Sequence, residues 1–272
     1  RTAIKRSCDI YFYEIARKLG VDRLAKTAEK FGLGKKVLNG FKEEKSGTVP
    51  NTKWKLKVIG KNWYLGETLH SGIGQGYFLT TPMQLCLMTA QIANGGFKIE
   101  PRIIAEKNQK NDSLINYLNY KNLNPNDPRT VDELVSQFNL KPLFRNQENI
   151  NFVKEAMYAS TNEPGGTSFA SRLSEKKFKF AGKTGSSQIK IFTAAQREAE
   201  IKQKDLDYKD RDHALFIAFA PFSKPKYAIS VLIEHGGSGS SAAAPIAKKV
   251  IKKVLERDDL RKLQLNKLGQ EV

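Results

Sequence analysis

Cysteine is nearly absent: only Cys8 and Cys86 occur in 272 residues, which rules out a disulfide framework and an all-cysteine metal site. The three histidines, His70, His213 and His235, do not stand at metal-ligand spacing with carboxylates. Structural roles are expected for them, and no metal or other cofactor is implied. Long apolar runs are also missing. The longest, around Ala214 to Phe222, falls well short of the roughly 18 residues that span a bilayer and reads as a buried strand. The chain opens on Arg1, with no basic stretch leading into an apolar one, so a further upstream piece carrying a signal or anchor is expected.

Acidic residues are scarce as well. Lys and Arg number 46 against 28 Asp and Glu, a formal charge of +18. Such an excess suits a solvated lysine-rich surface, or contact with nucleic acid, an anionic membrane surface or an acidic polymer. It leans toward one end, since residues 1–61 carry 16 basic and 6 acidic side chains. No zinc-knuckle spacing, RNP-type aromatic motif or Arg-rich arm accompanies it, so nucleic acid is not expected as a partner. With 40% hydrophobic and 27% charged residues, the composition is that of a globular domain with a sizeable core.

The pattern along the chain gives an α+β order. A helix is predicted from about Ala3 to Leu19, ended by Gly20, and a second with Leu24, Ala28 and Phe31 on one face, stopping at Gly32 and Gly34. Residues 37–79 read as loop, closing on Gly72-Ile73-Gly74-Gln75-Gly76. Thr81 and Pro82 then cap and start a helix whose buried side is read as Leu85, Met88 and Ile92, and Asn94-Gly95-Gly96 ends it. Residues 108–149 are polar and aperiodic, a surface insertion. Ile150, Val153 and Met157 predict a helix before Pro164-Gly165-Gly166.

Phe178 and Phe180 lead into a strand delivering Lys183-Thr184-Gly185. After a charged excursion from Thr193 to Asp212, His213–Ala220 and Tyr227–His235 read as an antiparallel hairpin around the Pro221–Pro225 turn. The last helix is predicted from about Ala242 to Leu255, with Ala243, Ile246, Ala247, Val250, Ile251 and Val254 on its apolar face. Helices first, then strands, then a closing helix give an antiparallel sheet flanked by helices. The domain is set at residues 1–257, with 258–272 a polar C-terminal tail.

Chemistry concentrates in two short motifs. Lys183-Thr184-Gly185-Ser186 lies at a strand end, where small residues let a substrate backbone approach the strand edge and hydroxyls can bind a carboxylate. Ser7-Cys8-Asp9 offers a hydroxyl and an acid within three residues. Taken singly, the first also fits an ordinary turn and Ser7 also fits a helix cap.

In this order the two resemble the second and third motifs of the serine penicillin-recognising enzymes. The resemblance covers nearly the whole chain. Ser7-Cys8-Asp9-Ile10-Tyr11-Phe12-Tyr13, Gly20-Val21-Asp22-Arg23-Leu24, Gly72-Ile73-Gly74-Gln75-Gly76 and Thr81-Pro82-Met83-Gln84 are similar to the penicillin-binding protein 2 family. These are the class B peptidoglycan D,D-transpeptidases of cell elongation. Gly165-Gly166-Thr167, Ala181-Gly182-Lys183-Thr184-Gly185-Ser186, Arg211-Asp212-His213 with Ala218-Phe219-Ala220-Pro221, and Glu234-His235-Gly236-Gly237 are similar to it too. An acid at Asp9, where many relatives carry Asn, favours the elongation branch over the septal one.

That resemblance implies a penicillin-binding, β-lactamase-like fold and acyl transfer without a cofactor: a serine attacks the penultimate D-alanine carbonyl of a stem peptide, D-alanine leaves, and a neighbouring amine forms the crosslink. It implies that Ser7 relays a proton, Asp9 orients the network or the substrate amide, and Lys183 supplies positive charge and holds Ser7. Thr184, Gly185 and Ser186 would bind substrate, with the Ser186 N–H an oxyanion donor. It further implies β-lactams as inhibitors, a periplasmic domain anchored at the inner membrane, and a glycan polymerase and elongation scaffold proteins as partners.

One departure stands out. The family's nucleophilic Ser-x-x-Lys should precede Ser7 by some tens of residues. Ser174 to Lys177, Ser187 to Lys190 and Ser223 to Lys226 match the pattern, but all follow Ser7 in strand or turn surroundings, so none is expected to be the nucleophile. The chain is thus read as a partial transpeptidase domain lacking the nucleophile helix, inactive on its own. A non-catalytic penicillin-fold binding or regulatory protein is the alternative, and a β-lactamase is disfavoured for want of a deacylating base.

The charge excess leads to a first prediction. Titration with random duplex DNA at near-physiological salt should show weak, sequence-indifferent binding, no tighter than about micromolar. A nanomolar, sequence-dependent complex would overturn the charge reading.

Overall fold

The computed structural model describes residues 1–38, 40–103, 141–144, 146, 148–189 and 203–267, for the side chains up to residue 261 and without that of residue 204. Most of the polar insertion and half of the charged excursion lie outside these residues. The chain forms two compact units. One comprises Arg1 and Cys8–Glu155, the other Thr2–Ser7 and Ala156–Val272.

The first unit is helical. Helix α2 (Asp9–Leu19) follows the short α1 (Thr2–Arg6) of the second unit, and α3 (Val21–Lys30) comes after Gly20. Gly20, at φ 76°, ends α2 by donating its N–H to the Ala16 carbonyl. The single N-terminal helix read from the sequence is therefore broken. Ser7, at φ 52°, interrupts it, a backbone region that non-glycine residues seldom enter.

Two further helices occupy the stretch read as loop: α4 (Thr52–Ile59) and α5 (Leu65–Gly72). Asn51 caps α4 by accepting the Trp54 N–H, and Gly60 closes it in the left-handed region. The two helices are tied by Lys55, which is 1% exposed. Its ammonium donates to the Glu67 carboxylate at 2.5 and 2.6 Å and to the Asn62 carbonyl at 2.7 Å, and lies 4.5 Å from the Tyr64 ring centroid. Glu67 also accepts the Tyr64 N–H, capping α5. The charge that Lys55 brings inside is thus paired, which is the condition under which such burial is tolerated.

Helix α6 (Pro82–Ala93) is capped as predicted: Thr81 accepts the Gln84 N–H while Gln84 accepts the Thr81 N–H. Its buried side differs from the predicted one. Gln84, Leu87, Gln91 and Ile92 are buried, whereas Leu85 and Met88 are only half-buried. Gln84 donates to the Lys35 and Ser46 carbonyls, both at 2.7 Å, and Gln91 to that of Phe31 at 2.9 Å. Two glutamines here anchor loops, a task no apolar residue could perform.

Helix α7 (Glu148–Asn162) is the one expected before Pro164. In the second unit, β1 (Ala181–Ser187), β2 (His213–Ala220) and β3 (Tyr227–Ile233) form an antiparallel sheet in the order β1-β2-β3, with Lys183 opposite Ile217 and Phe216 opposite Val231. A π-helical turn, Gly239–Ala243, leads into α8 (Ala244–Lys267), which thus extends through residues read as tail. The core joins Phe180, Phe216, Ala218 and Ala220 to Ala244, Ala247, Ile251 and Leu255 of α8. The predicted apolar face of α8 is divided: Ala247 and Ile251 are buried, but Ile246 and Val250 are 41% and 44% exposed. His213 and His235 take structural roles, His213 Nδ1 accepting the His235 N–H at 2.9 Å.

Burial alone would raise the Glu67 carboxyl, but the Lys55 ammonium and the Tyr64 N–H hold it below the usual carboxylate range. A carboxyl lowered on folding stabilises the fold above its ordinary value of about 4.3, and that contribution fades as pH falls through the lower folded value. Urea unfolding should therefore show Glu67→Gln costing about 3 kcal/mol at pH 7, since it strands a buried ammonium, and less at a pH well below the ordinary carboxyl value. Equal costs at both pH values would contradict the pairing.

Candidate active site

The candidate site is built within the second unit from three pieces of chain: α1 and Ser7, the Gly165-Gly166-Thr167 turn after α7, and strand β1. Pro164 lacks an N–H, so α7 cannot continue and the Ser160 carbonyl loses its helical donor. That carbonyl is taken by the Ser168 N–H and the Ser168 hydroxyl, both at 3.1 Å. A Cβ at Gly166 would lie 2.2 Å from the same oxygen, so only glycine fits there. Thr167 then donates its N–H to the Lys5 carbonyl, and the Lys5 ammonium pairs with Glu163 at 3.0 Å. These contacts seat α1 against the turn.

At the end of α1 the left-handed Ser7 presents its hydroxyl to Lys183. The two side chains, expected about 3 to 5 Å apart, meet at 2.5 Å across 176 positions of sequence. The Lys183 ammonium also donates to the Thr184 carbonyl at 2.8 Å. Thr184 donates its hydroxyl to Thr167 at 3.1 Å. Gly185 is half-buried and Ser186 exposed on the same strand. Thus Ser7, Lys183 and Thr184 are brought together. Asp9 belongs to the other unit, exposed in the first turn of α2, where a carboxylate suits the helix dipole.

Close packing supports β1 from behind. A Cβ at Gly182 would come 2.4 Å from the Phe216 ring, and one at Gly239 would come 2.4 and 2.5 Å from the Leu215 and Gly185 carbonyl oxygens. β1 stands at the edge of the three-stranded sheet, so its outer side can accept an extended peptide. An ammonium, hydroxyls and an open strand edge together can bind a peptide carboxylate and move a proton. Thr167, Ser160 and Ser168 were not read as site residues from the sequence. Gly165-Gly166-Thr167 belongs to the family resemblance, and nothing in the spacing says that its threonine reaches Thr184.

Residues 1–252 match the penicillin binding protein transpeptidase domain. The chain belongs to that family. It is 32% identical over 249 residues to the peptidoglycan D,D-transpeptidase MrdA of Salmonella typhimurium and 34% identical over 252 residues to that of Acinetobacter baumannii. Those matches cover 92% and 91% of this chain but 37% and 33% of the relatives, so the chain spans about a third of their length.

Among solved structures, the complex of PBP2 with MreC from Helicobacter pylori aligns with TM-score 0.72 at 30% identity, over 94% of this chain and 39% of that one. PBP2 of Pseudomonas aeruginosa in complex with WCK 5153 aligns with TM-score 0.69 at 34% identity, over 93% and 48%. The α+β class expected from the element order, and the penicillin-binding fold that the resemblance implied, are thus the observed ones. No group of three or more metal-ligating side chains occurs among the described residues, and no described helix is long and apolar enough to cross a membrane.

The packing behind β1 is testable. Gly239→Ala forces a methyl into two carbonyl oxygens and should cost about 2 kcal/mol of unfolding free energy. Gly185→Ala, whose Cβ would meet Leu215 at an ordinary 3.4 Å, should change stability by less than about 0.5 kcal/mol. The reverse ranking in urea melts would show that the close approach is misassigned.

Proposed function

We propose that this chain works in peptidoglycan D,D-transpeptidation during cell elongation, crosslinking stem peptides through a serine acyl-enzyme. The observation that carries this reading is the 2.5 Å contact of Lys183 with Ser7 beside Thr184, on an edge strand. Because the Lys183 ammonium donates to the Ser7 oxygen, the Ser7 proton is left to be given away. Ser7 can pass it to the amine that departs when an acyl-enzyme forms and recover one from the lysine, so no net charge builds up on the hydroxyl.

Lys183 also draws a substrate carboxylate toward β1. Thr184 and Ser186 give that carboxylate directed hydroxyl donors, Gly185 keeps the strand surface low, and the Ser186 N–H serves the developing oxyanion. Asp9 orients the network or the substrate amide. The same reading makes β-lactams inhibitors and places residues 1–257 as one periplasmic domain at the inner membrane. A glycan polymerase and elongation scaffold proteins are its partners. The PBP2 relative solved with MreC supports the scaffold part.

The nucleophile is not assigned to Ser174, Ser187 or Ser223. Ser174 precedes a 3-10 turn, Ser187 ends β1 and Ser223 lies in the β2–β3 turn, and none starts a core helix. The 272 residues by themselves should therefore form no covalent adduct with a fluorescent penicillin. A longer product of the same gene should form one, and Lys183→Ala should cut its labelling rate by about 100-fold or more. Stoichiometric labelling of residues 1–272 at one serine would overturn the assignment of roles. Noncovalent binding without any adduct in the longer product would favour a penicillin-fold binding or regulatory protein instead.

A further inference from the structure

At the corner that joins α4 to α5, within the first unit, large apolar side chains face water although the corner itself is firmly built. The buried Lys55 ammonium is bound to Glu67 and to the Asn62 carbonyl, and it lies 4.5 Å from the Tyr64 ring centroid, which sets Tyr64 beside α4. The Trp63 indole donates to the Thr68 hydroxyl at 2.8 Å. Its ring meets that of Tyr77, which also meets Trp54, and both indoles are half-buried. Leu56, Val58, Tyr64 and Leu65 are nonetheless 58% to 62% exposed, and Ile59 40%. Every residue from Leu56 to Asn62 is exposed, so the corner projects.

The charge on this corner has one sign. From Asn51 to Gly66 there is no Asp or Glu, whereas Lys53, Lys55, Lys57 and Lys61 all fall in that stretch. The next acid, Glu67, is taken by Lys55, and Asp22 accepts the Thr52 N–H and hydroxyl at the opposite end of α4. Lys53, Lys57 and Lys61 are exposed, and none has an ion-pair partner among the described residues. A soluble surface intersperses both signs of charge and keeps large apolar side chains apart. Clustered exposed apolar side chains mark a binding surface, and with lysines and no acid they make the pattern of a segment that lies in a membrane interface.

We propose that the α4–α5 corner docks on an anionic phospholipid bilayer. Leu56, Val58, Ile59, Tyr64 and Leu65 enter the boundary between headgroups and acyl chains, and Lys53, Lys57 and Lys61 lie among the lipid phosphates. A stable protein partner would cover about 800 Å² on this side, usually around a pocket that receives a buried anchor. A projecting corner with a handful of apolar side chains suits a bilayer better, because the lipid surface yields to the shape that enters it. The lysine stems can follow the apolar side chains inward while their ammonium groups stay at the phosphates, which supply the anions the corner lacks. This contact is made by the folded unit itself and involves no acyl transfer, so it stands apart from the transpeptidase reading.

The test is flotation of residues 1–272 with phospholipid vesicles, either phosphatidylcholine alone or phosphatidylcholine with about 30% phosphatidylglycerol. The chain should bind the anionic vesicles at least about tenfold more tightly than the neutral ones. Lys57→Gln combined with Lys61→Gln should weaken that binding about tenfold or more. Lys249→Gln combined with Lys253→Gln removes the same charge from exposed positions of α8 in the other unit and should change it less than about twofold. Leu56→Gln combined with Val58→Gln leaves the charge intact and should also weaken vesicle binding about tenfold. Both residues are exposed, so the urea midpoint should not move.

Two further arms separate this docking from general attraction to anions. The Leu56 and Val58 pair of changes should leave the weak binding to random duplex DNA as it is, because DNA offers the lysines phosphates but no acyl layer. Val58→Trp should strengthen vesicle binding about threefold, a gain that a misfolded variant would not give. Failure of the unaltered chain to bind anionic vesicles would overturn the proposal. So would equal losses from the two lysine pairs, which would mean that net charge alone is at work. Binding to soluble polyglutamate that is also weakened by the Leu56 and Val58 changes would assign the corner to an acidic protein instead of a bilayer.

Discussion

The contact between the Lys183 ammonium and the Ser7 hydroxyl imposes most of the local structure around it. A lysine projecting from a strand edge reaches a serine 176 positions away only if the serine's own segment is held in place. Here that segment is five residues of helix, too short to be stable alone. It is fixed from outside by the Thr167 N–H on the Lys5 carbonyl and by the Lys5–Glu163 pair. The left-handed turn at Ser7 follows from the same demand: a continuous helix through Ser7 and Cys8 would aim the hydroxyl elsewhere, and the strain of φ 52° is borne by these neighbouring bonds.

A second constraint acts from behind the strand. For Lys183 to stand at an edge, β1 must lie flat against β2 and the π-helical turn, and both approaches are closer than any side chain allows. Gly182 gives way to the Phe216 ring, and Gly239 to the carbonyls of Leu215 and Gly185. The alanines Ala244 and Ala247 let α8 approach in the same manner, so this half of the core is packed by small residues around Phe180 and Phe216. That economy leaves Ile246 and Val250 outside the buried stripe of α8. Apolarity placed them on the face, but the stripe actually used runs through 244, 247, 251 and 255, a spacing that only the tight contact selects.

Where the sequence spoke through local rules, it could be read. Thr81, Pro82 and Gln84 fix the start of α6, Gly20 ends α2, and the alternation after His213 with the proline-bounded turn fixes the hairpin. Where tertiary pairing reverses the usual fate of a residue, it could not. Lys55 sits among alternating lysines in a stretch that reads as loop; it is buried because Glu67 and Asn62, in the next helix and its approach, satisfy it. Gln84 and Gln91 lie off the predicted apolar side of α6 and are buried through pairing of the same kind. The pairing of Ser7 with Lys183 entered only through the family's pattern, and the hydroxyls behind Thr184 gave no signal, since serine and threonine at 160, 161 and 168 fit a helix end equally well.

The chemistry of the site depends on how the Lys183 cation is used. The Lys183 ammonium donates to Ser7 and to the Thr184 carbonyl, and it is half-buried. At a partly solvated distance of a few ångströms such a charge attracts a carboxylate by about 1 to 4 kcal/mol without fixing its orientation. Orientation has to come from groups with directed donors. A second cation could supply attraction but would have to be desolvated beside the first and would compete for the same carboxylate oxygen. Neutral hydroxyls avoid that cost. Thr184 is itself held in place by donating its hydroxyl to Thr167 on the neighbouring turn. On the proposed reading, charge brings a peptide carboxylate to β1 and the hydroxyls on that strand orient it.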